Sequence, residues 1–208
     1  LTGEVAADPL SSFGVIDQRL HYIPALTRLV EGAAGRLPPL RGIMETVGTI
    51  RSGLPCSGLR MVAGTMDAWA GFVGAGAVNG GDCVALSGTS EVGGIVSPMR
   101  VPTPGVIAFP DCAGLVMHAG PTQSGGASVA WLSRLLGKTA AEISALAAAV
   151  PQRDAVPLFL PHLQGERAPI WDIAARGSFA GLDASMGAPH VALAVLEGVA
   201  YSLRWLMQ

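Results

Sequence analysis

Asp67 differs from the residues around it in both charge and position. It is the only charged side chain between Arg60 and Asp82, and it follows an apolar stretch, residues 59–63, that is typical of a strand. A glycine-rich helix is predicted just after it, and a carboxylate at a helix N-terminus is stabilised by the unpaired amides there. The position suits a helix cap, worth about 1 kcal/mol. It also suits a general base that takes a proton from a hydroxyl group, although position alone favours the cap.

Residues 87–90 are the first of two segments rich in glycine and hydroxyl groups. Their sequence, Ser-Gly-Thr-Ser, joins two predicted strands. Gly88 lets the backbone approach a ligand closely, and the amides and hydroxyls of Thr89 and Ser90 suit a phosphate group. The alternative is an ordinary hairpin turn, which the segment taken alone favours.

The second segment, residues 124–128, reads Ser-Gly-Gly-Ala-Ser and opens a predicted helix. Because the first amides of a helix have no partner within it, Gly125 and Gly126 mark a further anion or nucleotide contact. The alternative is that these glycines let the helix pack closely against a neighbour.

Several common catalytic motifs are absent from the sequence. Residues 137–139, Gly-Lys-Thr, lack the preceding strand and the first glycine of a P-loop, so they are interpreted as a helix C-cap followed by an N-cap. The two residues after Ser90 do not include the second glycine of a nucleophile elbow. The four histidines are widely separated in the sequence, and their spacing predicts no metal site.

The composition of the 208 residues limits the class of protein. Half of the residues are apolar and 13% are charged, which excludes an intrinsically disordered segment. The net charge of −2, without blocks of like charge, gives no electrostatic footprint for nucleic acid or an anionic membrane. An odd number of cysteines without a CxxC pair indicates free, mostly buried thiols in a reducing cytoplasm. These cysteines are Cys56, Cys83 and Cys112.

The start of the chain and one apolar window bear on targeting. No signal-peptide pattern is visible, and the start at Leu1 in place of Met suggests a fragment. Residues 61–78 are hydropathic enough to resemble a membrane span, but Asp67 and several glycines interrupt them. We expect a buried strand and helix there instead.

Strands and helices are mixed along the whole chain, which predicts a layered α/β or α+β fold. The apolar periodicity predicts helices at residues 20–31, 68–78, 124–136, 140–149 and 189–207. It predicts strands at residues 59–63, 83–86, 92–96, 106–109, 115–118, 157–160 and 179–182.

Taken in order, these segments resemble the FGGY family of carbohydrate kinases. The most specific match is residues 165–182, where Gly-Glu-Arg-x-Pro-x-x-Asp is followed by Ala-Arg-Gly-Ser-Phe-x-Gly-Leu. Residues 190–200 complete a signature of that family, and residues 62–67, 86–90 and 125–132 match earlier motifs. The resemblance covers nearly the whole chain.

The resemblance implies an α/β fold of the actin/hexokinase-like (ribonuclease H-like) type, here an incomplete two-domain sugar kinase. Residues 1–78 would be the C-terminal part of the sugar-binding N-terminal domain, and residues 79–208 a truncated nucleotide-binding C-terminal domain. Asp67 matches the family's catalytic aspartate, which takes a proton from the sugar hydroxyl that attacks the γ-phosphate of ATP.

The resemblance also implies a nucleotide site with ATP and Mg²⁺ as cofactors. Gly88, Thr89 and Ser90 match the loop that contacts the phosphates, and Gly125 and Gly126 match the lining of the nucleotide site. Four charged residues of the signature are interpreted as ion-paired architecture that supports the cleft. They are Glu166, Arg167, Asp172 and Arg176.

The implied function is ATP-dependent phosphorylation of a sugar hydroxyl in the cytoplasm, with a pentulose such as xylulose as the expected substrate. The partner is a small sugar, with no nucleic acid and no membrane, and the oligomeric state stays open, a homodimer included. One alternative is a catalytically inactive member of the same fold that binds sugar or nucleotide as a sensor. Another is a hydrolase using Ser90 or Ser124, which the missing nucleophile elbow disfavours.

Overall fold

The computed structural model describes residues 1–17, 19–112, 114–151 and 155–208. The chain divides into two compact units. The first contains Leu1–Gly80, Val96–Met99 and Phe109–Met117. The second contains Gly81–Ile95, Arg100–Ala108 and His118–Gln208.

The first unit has few regular elements. A short antiparallel ribbon joins β1 (Thr46–Thr49) to β2 (Arg60–Val62), and the helices are α1 (Pro24–Thr27), a 3-10 turn at Ala33–Gly35 and α2 (Asp67–Gly74). Strand β1 has no counterpart among the predicted strands.

The predicted helix over residues 20–31 is wrong except for the single turn of α1. Leu26, Leu29 and Val30, the apolar face of that prediction, are 39%, 78% and 66% exposed. A helix of this length is marginal in water unless its apolar face packs on something. Because these side chains stay exposed, the periodicity was not enough to form the helix.

Helix α2 is anchored by two aromatic side chains and ended by a glycine. Trp69 and Phe72 are buried, at 2% and 0% exposure. Gly76 has φ +90°, a conformation that favours glycine, so the helix stops four residues before the predicted end at residue 78. Gly74 meets no atom within 4 Å of a Cβ position, so it is not a close-packing residue.

No helix in the described part of the chain is long and apolar enough to cross a membrane. The hydropathic window at residues 61–78 contains most of β2 and all of α2, so the expected strand and helix are present. The strand is not buried as expected, because Val62 is 39% exposed, whereas α2 buries Trp69 and Phe72.

The second unit contains most of a four-stranded sheet with the strand order β3-β4-β6-β5, in which β3 pairs antiparallel with β4 and β5 with β6. Within this unit, β3 pairs with β4 from Cys83 opposite Ile95 to Ser87 opposite Glu91. The bounds of the strands are β3 (Cys83–Ser87), β4 (Glu91–Ser97), β5 (Ile107–Ala108) and β6 (Val116–Pro121).

Three helices and a second ribbon complete this unit. They are α3 (Gly126–Leu136), α4 (Ala140–Ala148), α5 (Ala188–Leu206) and the antiparallel pair β7 (Leu158–Leu160) and β8 (Ser178–Ala180). The core between them holds Leu132, Ile143, Phe159 and Val195, each at most 2% exposed. The ring of Phe159 stacks on Trp131 with centroids 6.0 Å apart. Apart from α1 and β1, the predicted element bounds agree to within four residues.

Two strand glycines let the end of α5 lie close to the sheet. A Cβ atom at Gly120 in β6 would come within 2.7 Å of Leu206, and one at Gly93 in β4 within 2.8 Å of Leu203. Carbon atoms normally stay about 3.5–4.0 Å apart. Larger residues at these positions would therefore push α5 away from the sheet.

The Gly-Lys-Thr triplet joins two helices, as predicted. Gly137 ends α3 with φ +64°, and Thr139 begins α4 with a capping box shared with Glu142. Lys138 lies 3.8 Å from Glu142 as an exposed ion pair. The triplet is therefore a pair of helix caps.

The expectation of mostly buried thiols is wrong, although all three cysteines are free. Cys56 and Cys83 are exposed because they lie in a surface loop and at the first residue of β3, and Cys112 is half-buried. Partial burial raises the pKa of the Cys112 thiol.

Candidate functional site

Asp67 is the first residue of α2, and Met66 occupies the N-cap position. Asp67 is therefore not the N-cap residue, although its carboxylate does lie at the helix N-terminus. Its Oδ1 accepts a hydrogen bond of 2.7 Å from the amide of Ala68, its only hydrogen bond within the described residues. The side chain is exposed because Trp69 and Phe72 turn the other side of α2 into the core. One carboxylate oxygen is thus free to accept a proton, while the helix N-terminus stabilises the charge.

The loop before Asp67 is held by a second, buried aspartate. Asp8 is 7% exposed, and its Oδ1 accepts 3.0 Å hydrogen bonds from the Thr65 hydroxyl and from the amide of Ser11. Thr65 lies two residues before Asp67, so this contact fixes the start of α2. Sequence reasoning assigned no role to Asp8 or Thr65, because a contact across 57 residues leaves no local pattern.

Residues 87–90 form a tight hairpin turn in the second unit. The amide of Gly88 donates to the carbonyl of Ser90 at 3.1 Å, which closes the turn and uses that amide. The amides and hydroxyls of Thr89 and Ser90 donate to no acceptor in the part of the chain that the structure describes. Thr89 is exposed, so these groups are the ones available to a ligand.

The two glycine-rich segments are joined directly by backbone hydrogen bonds. The amide of Gly126 donates to the carbonyl of Gly88 at 2.8 Å. The amides of Gly125 and Ala127 both donate to the carbonyl of Thr89, at 3.0 and 2.9 Å. The structure therefore joins four of the predicted site residues directly, with Ser90 in the same turn. It corrects the idea that the first amides of α3 are open to an anion.

Gly125 and Gly126 are required by close packing. A Cβ atom at Gly126 would lie 2.8 Å from the carbonyl oxygen of Gly88. A Cβ atom at Gly125 would lie 2.9 Å from the side chain of Glu91. The close-packing interpretation thus holds for both residues.

Glu166 holds the segment that leads into α3. It is 4% exposed, and it accepts hydrogen bonds from the amides of Gln123 and Arg167 and from the ring of His162, with the last two at 2.8 and 2.7 Å. The guanidinium of Arg167 donates to the carbonyl of Thr122. Buried donors and acceptors in this segment are therefore satisfied by the Gly-Glu-Arg signature.

The expectation that the four signature residues are ion-paired holds for Glu166 and is wrong for the other three within the described residues. Asp172 is exposed and accepts from the amide of Ala174 at 2.7 Å, and Arg176 donates to two nearby carbonyls. Among the described residues, none of these four side chains pairs with another, and the salt bridge of Glu166 is to His162. The signature supports the site through backbone hydrogen bonds because its charged groups lie beside main-chain amides and carbonyls.

The remaining candidate groups do not form a second catalytic centre. Ser124 is 2% exposed, which leaves it inaccessible as a nucleophile. Within the described residues, no three His, Cys, Asp or Glu side chains form a group that could hold a metal. His162 hydrogen-bonds to the Glu166 carboxylate, and His118 accepts from the amide of Val101.

The chain was compared with known protein families and structures. Residues 83–208 match the model for the C-terminal domain of the FGGY family of carbohydrate kinases. A ligand-bound xylulose kinase from Lactobacillus acidophilus is 26% identical, with a TM-score of 0.88 over 100% of this chain and 45% of that one. A gluconate kinase from the same species is 27% identical, with a TM-score of 0.85 over 98% of this chain and 44% of that one.

A curated relative agrees with these structures over a shorter stretch. A glycerol kinase from Gloeobacter violaceus is 48% identical over 81 residues, which are 38% of this chain and 16% of that protein. The chain therefore spans less than half the length of the relatives it matches. The family match covers more than half of the chain, and the solved relatives have the two-domain sugar-kinase fold of the actin/hexokinase type. This chain belongs to the FGGY family of carbohydrate kinases.

Proposed function

We propose that the chain acts in an ATP-dependent kinase that phosphorylates a hydroxyl group of a small sugar. Residues 1–78 would contribute to the sugar-binding domain, and residues 79–208 to the nucleotide-binding domain. The observation that carries the nucleotide part is the turn at residues 87–90. The carbonyls of Gly88 and Thr89 are fixed to the start of α3, while the amides and hydroxyls of Thr89 and Ser90 donate to no acceptor among the described residues.

Those free donors fit a phosphate group. A phosphate is bound well by preorganised amides and hydroxyls, because such donors need no rearrangement when charge develops in the transition state. Gly88, Gly125 and Gly126 act differently from Thr89 and Ser90, since their amides are used within the protein. Their role is to keep the turn and α3 in contact, which places the backbone of the site.

Asp67 is proposed as the general base. It would accept the proton of the attacking sugar hydroxyl at a distance of about 2.6–3.2 Å, through the oxygen that makes no hydrogen bond within the described residues. ATP supplies the transferred phosphoryl group, and Mg²⁺ reduces the charge on its phosphates. Phosphoryl transfer depends on positioning more than on covalent chemistry, so the anchoring of α2 by Trp69 and Phe72 suits this role.

The proposed substrate is a pentulose such as xylulose. The xylulose kinase from Lactobacillus acidophilus matches all of this chain at 26% identity, which supports this choice. Gluconate and glycerol are the alternatives given by the other relatives. A panel of ketoses, aldoses and polyols in a coupled ADP-release assay with the full-length protein distinguishes them.

The test of the base is Asp67→Asn in the full-length protein. We expect the variant to bind ATP as the wild type does and to lose sugar phosphorylation, because an amide cannot accept the proton. Asp111→Asn is the control, since Asp111 is also an exposed aspartate of the first unit. A near-wild-type turnover number for Asp67→Asn would show that Asp67 is not the general base. Binding of sugar or nucleotide without turnover in the wild type would favour a sensor.

A further inference from the structure

Glu91 is a buried carboxylate in the candidate nucleotide site, and it has no role in the proposed catalysis. It follows Ser90 directly, begins β4 and is 5% exposed. The hydroxyl of Ser87 donates to its Oε1 at 2.8 Å, so the side chain holds the opposite end of the turn. Burying a carboxylate is costly unless it is used. We therefore expect the buried carboxylate of Glu91 to have a structural or functional role.

The main chain of Glu91 is joined to the other segment of the site. Its carbonyl accepts from the amide of Thr122 at 2.8 Å, and its amide lies 3.1 Å from the Thr122 hydroxyl. Thr122 is fully buried and lies three residues before Gly125. The backbone of Glu91 thus connects the turn at residues 87–90 to the strand end that leads into α3.

The side chain of Glu91 fills the space between those two segments. A Cβ atom at Gly125 would lie 2.9 Å from both Cγ and Cδ of Glu91. Protein interiors are packed closely enough that one added methyl group displaces its neighbours. The carboxylate therefore sets how near the start of α3 can come to the turn.

We infer that Glu91 is the positioning residue of the nucleotide site. It accepts the hydrogen bond of the Ser87 hydroxyl on one side and fills the space next to Gly125 on the other. It thereby fixes the turn that presents Thr89 and Ser90. This inference rests on the proposed nucleotide site. Glu91 does not bind the phosphate itself, because two negative groups repel each other; it acts through the residues that it holds.

The first test is ADP binding by the full-length protein, measured by isothermal titration calorimetry. Glu91→Ala removes both the acceptor and the volume, and we expect the Kd for ADP to rise about tenfold, the size of a lost hydrogen bond to a charged group. Glu91→Gln keeps the shape and an acceptor for Ser87, so we expect a Kd within about threefold of the wild type. Ser87→Ala tests the hydrogen bond without changing Glu91, and we expect an intermediate loss.

The second test uses the two glycines as a matched pair. Gly125→Ala weakens ADP binding in the wild type, because its Cβ meets Glu91, and we expect a much smaller added loss in a Glu91→Ala background. Gly126→Ala is the control, since its Cβ meets the Gly88 carbonyl, which no change at position 91 removes. We expect the loss from Gly126→Ala to be the same in both backgrounds.

Four results would overturn the inference. One is an unchanged Kd in a folded Glu91→Ala protein, and another is an equal loss in Glu91→Gln and Glu91→Ala. The third is an additive effect of Gly125→Ala and Glu91→Ala. The fourth is no ADP binding by the wild type. Binding of ADP needs no turnover, so a wild type that binds ADP without phosphorylating any sugar defeats the kinase proposal and leaves this test intact. The KM for sugar should not change in Glu91→Ala, as it would if the whole protein were loosened.

Discussion

Replacing Glu166 would show how much of the second unit depends on one buried carboxylate. Glu166→Ala leaves three donors without an acceptor, namely the amides of Gln123 and Arg167 and the ring of His162. Each hydrogen bond to a charged group contributes about 1.5–3 kcal/mol, but such values do not add. Removing one partner of a buried pair costs about 3–5 kcal/mol. We expect the free energy of unfolding to fall by about 3–5 kcal/mol.

The assay is urea unfolding of the full-length protein, followed by circular dichroism. With a slope of about 2–3 kcal/mol/M, the midpoint of Glu166→Ala should fall by about 1–2 M. Glu166→Gln keeps the side-chain shape and one carbonyl acceptor, so a loss of about 1–2 kcal/mol is expected. Asp172→Asn makes the same chemical change at an exposed position of the same signature, and it should stay within about 0.5 kcal/mol.

A free energy of unfolding for Glu166→Ala within about 1 kcal/mol of the wild-type value would refute the predicted role of this carboxylate. An equal loss of unfolding free energy in Asp172→Asn and Glu166→Gln would also refute it, because the effect would then not depend on burial. A change in the dependence of unfolding free energy on urea concentration for Glu166→Ala would indicate an altered unfolded state. The stability comparison with the wild type would then be made with Glu166→Gln.

Three further changes test other parts of the structure. Thr139→Ala should lower the free energy of unfolding by about 1 kcal/mol through loss of the capping box, read from the melting temperature. Hydrogen bonds from the Thr139 amide and hydroxyl lower the pKa of Glu142. The difference in unfolding free energy between the wild type and Thr139→Ala should therefore be full above the ordinary glutamate pKa and shrink as pH falls through the lowered pKa. A difference that is independent of pH would contradict this. Gly198→Ala should cost about 1–3 kcal/mol in urea, because its Cβ would collide with the Phe159 carbonyl, and a neutral effect would show that α5 can shift. Asp8→Ala should lower the turnover number but not ADP affinity; a change in ADP affinity alone would refute its link to Asp67.

The sequence predicts most of the second unit because its elements have strong local patterns. Gly137 and Thr139 are read as caps from residue type alone, and the apolar spacing of residues 189–207 specifies α5 to within a residue at each end. The helix predicted at residues 20–31 fails for the opposite reason. Its apolar face meets no core among the described residues, and periodicity does not say whether a partner exists.

The candidate site was predictable in its residues but not in its hydrogen bonds. The glycines and hydroxyls at residues 88–90 and 125–126 mark the two segments, yet which amides are free follows from the tertiary contact between them. Glu91 is hydrogen-bonded to Thr122, which lies 31 residues away in the sequence, and Glu166 to Gln123, which lies 43 residues away. No local pattern encodes such pairings. The family signature therefore marks Glu166 without its partners, and Glu91 could be found only in the folded chain.

Trp69 gives the helix of the candidate base an optical reporter of its own. Its indole is 2% exposed, and its Nε1–H has no acceptor in the described part of the chain, whereas Trp171 and Trp205 are each 50% exposed. A shielded indole emits at shorter wavelengths than a hydrated one, so its fluorescence is separable from theirs. With Phe at the other three tryptophan positions, the emission of this single residue would follow events two residues from Asp67 without any added label.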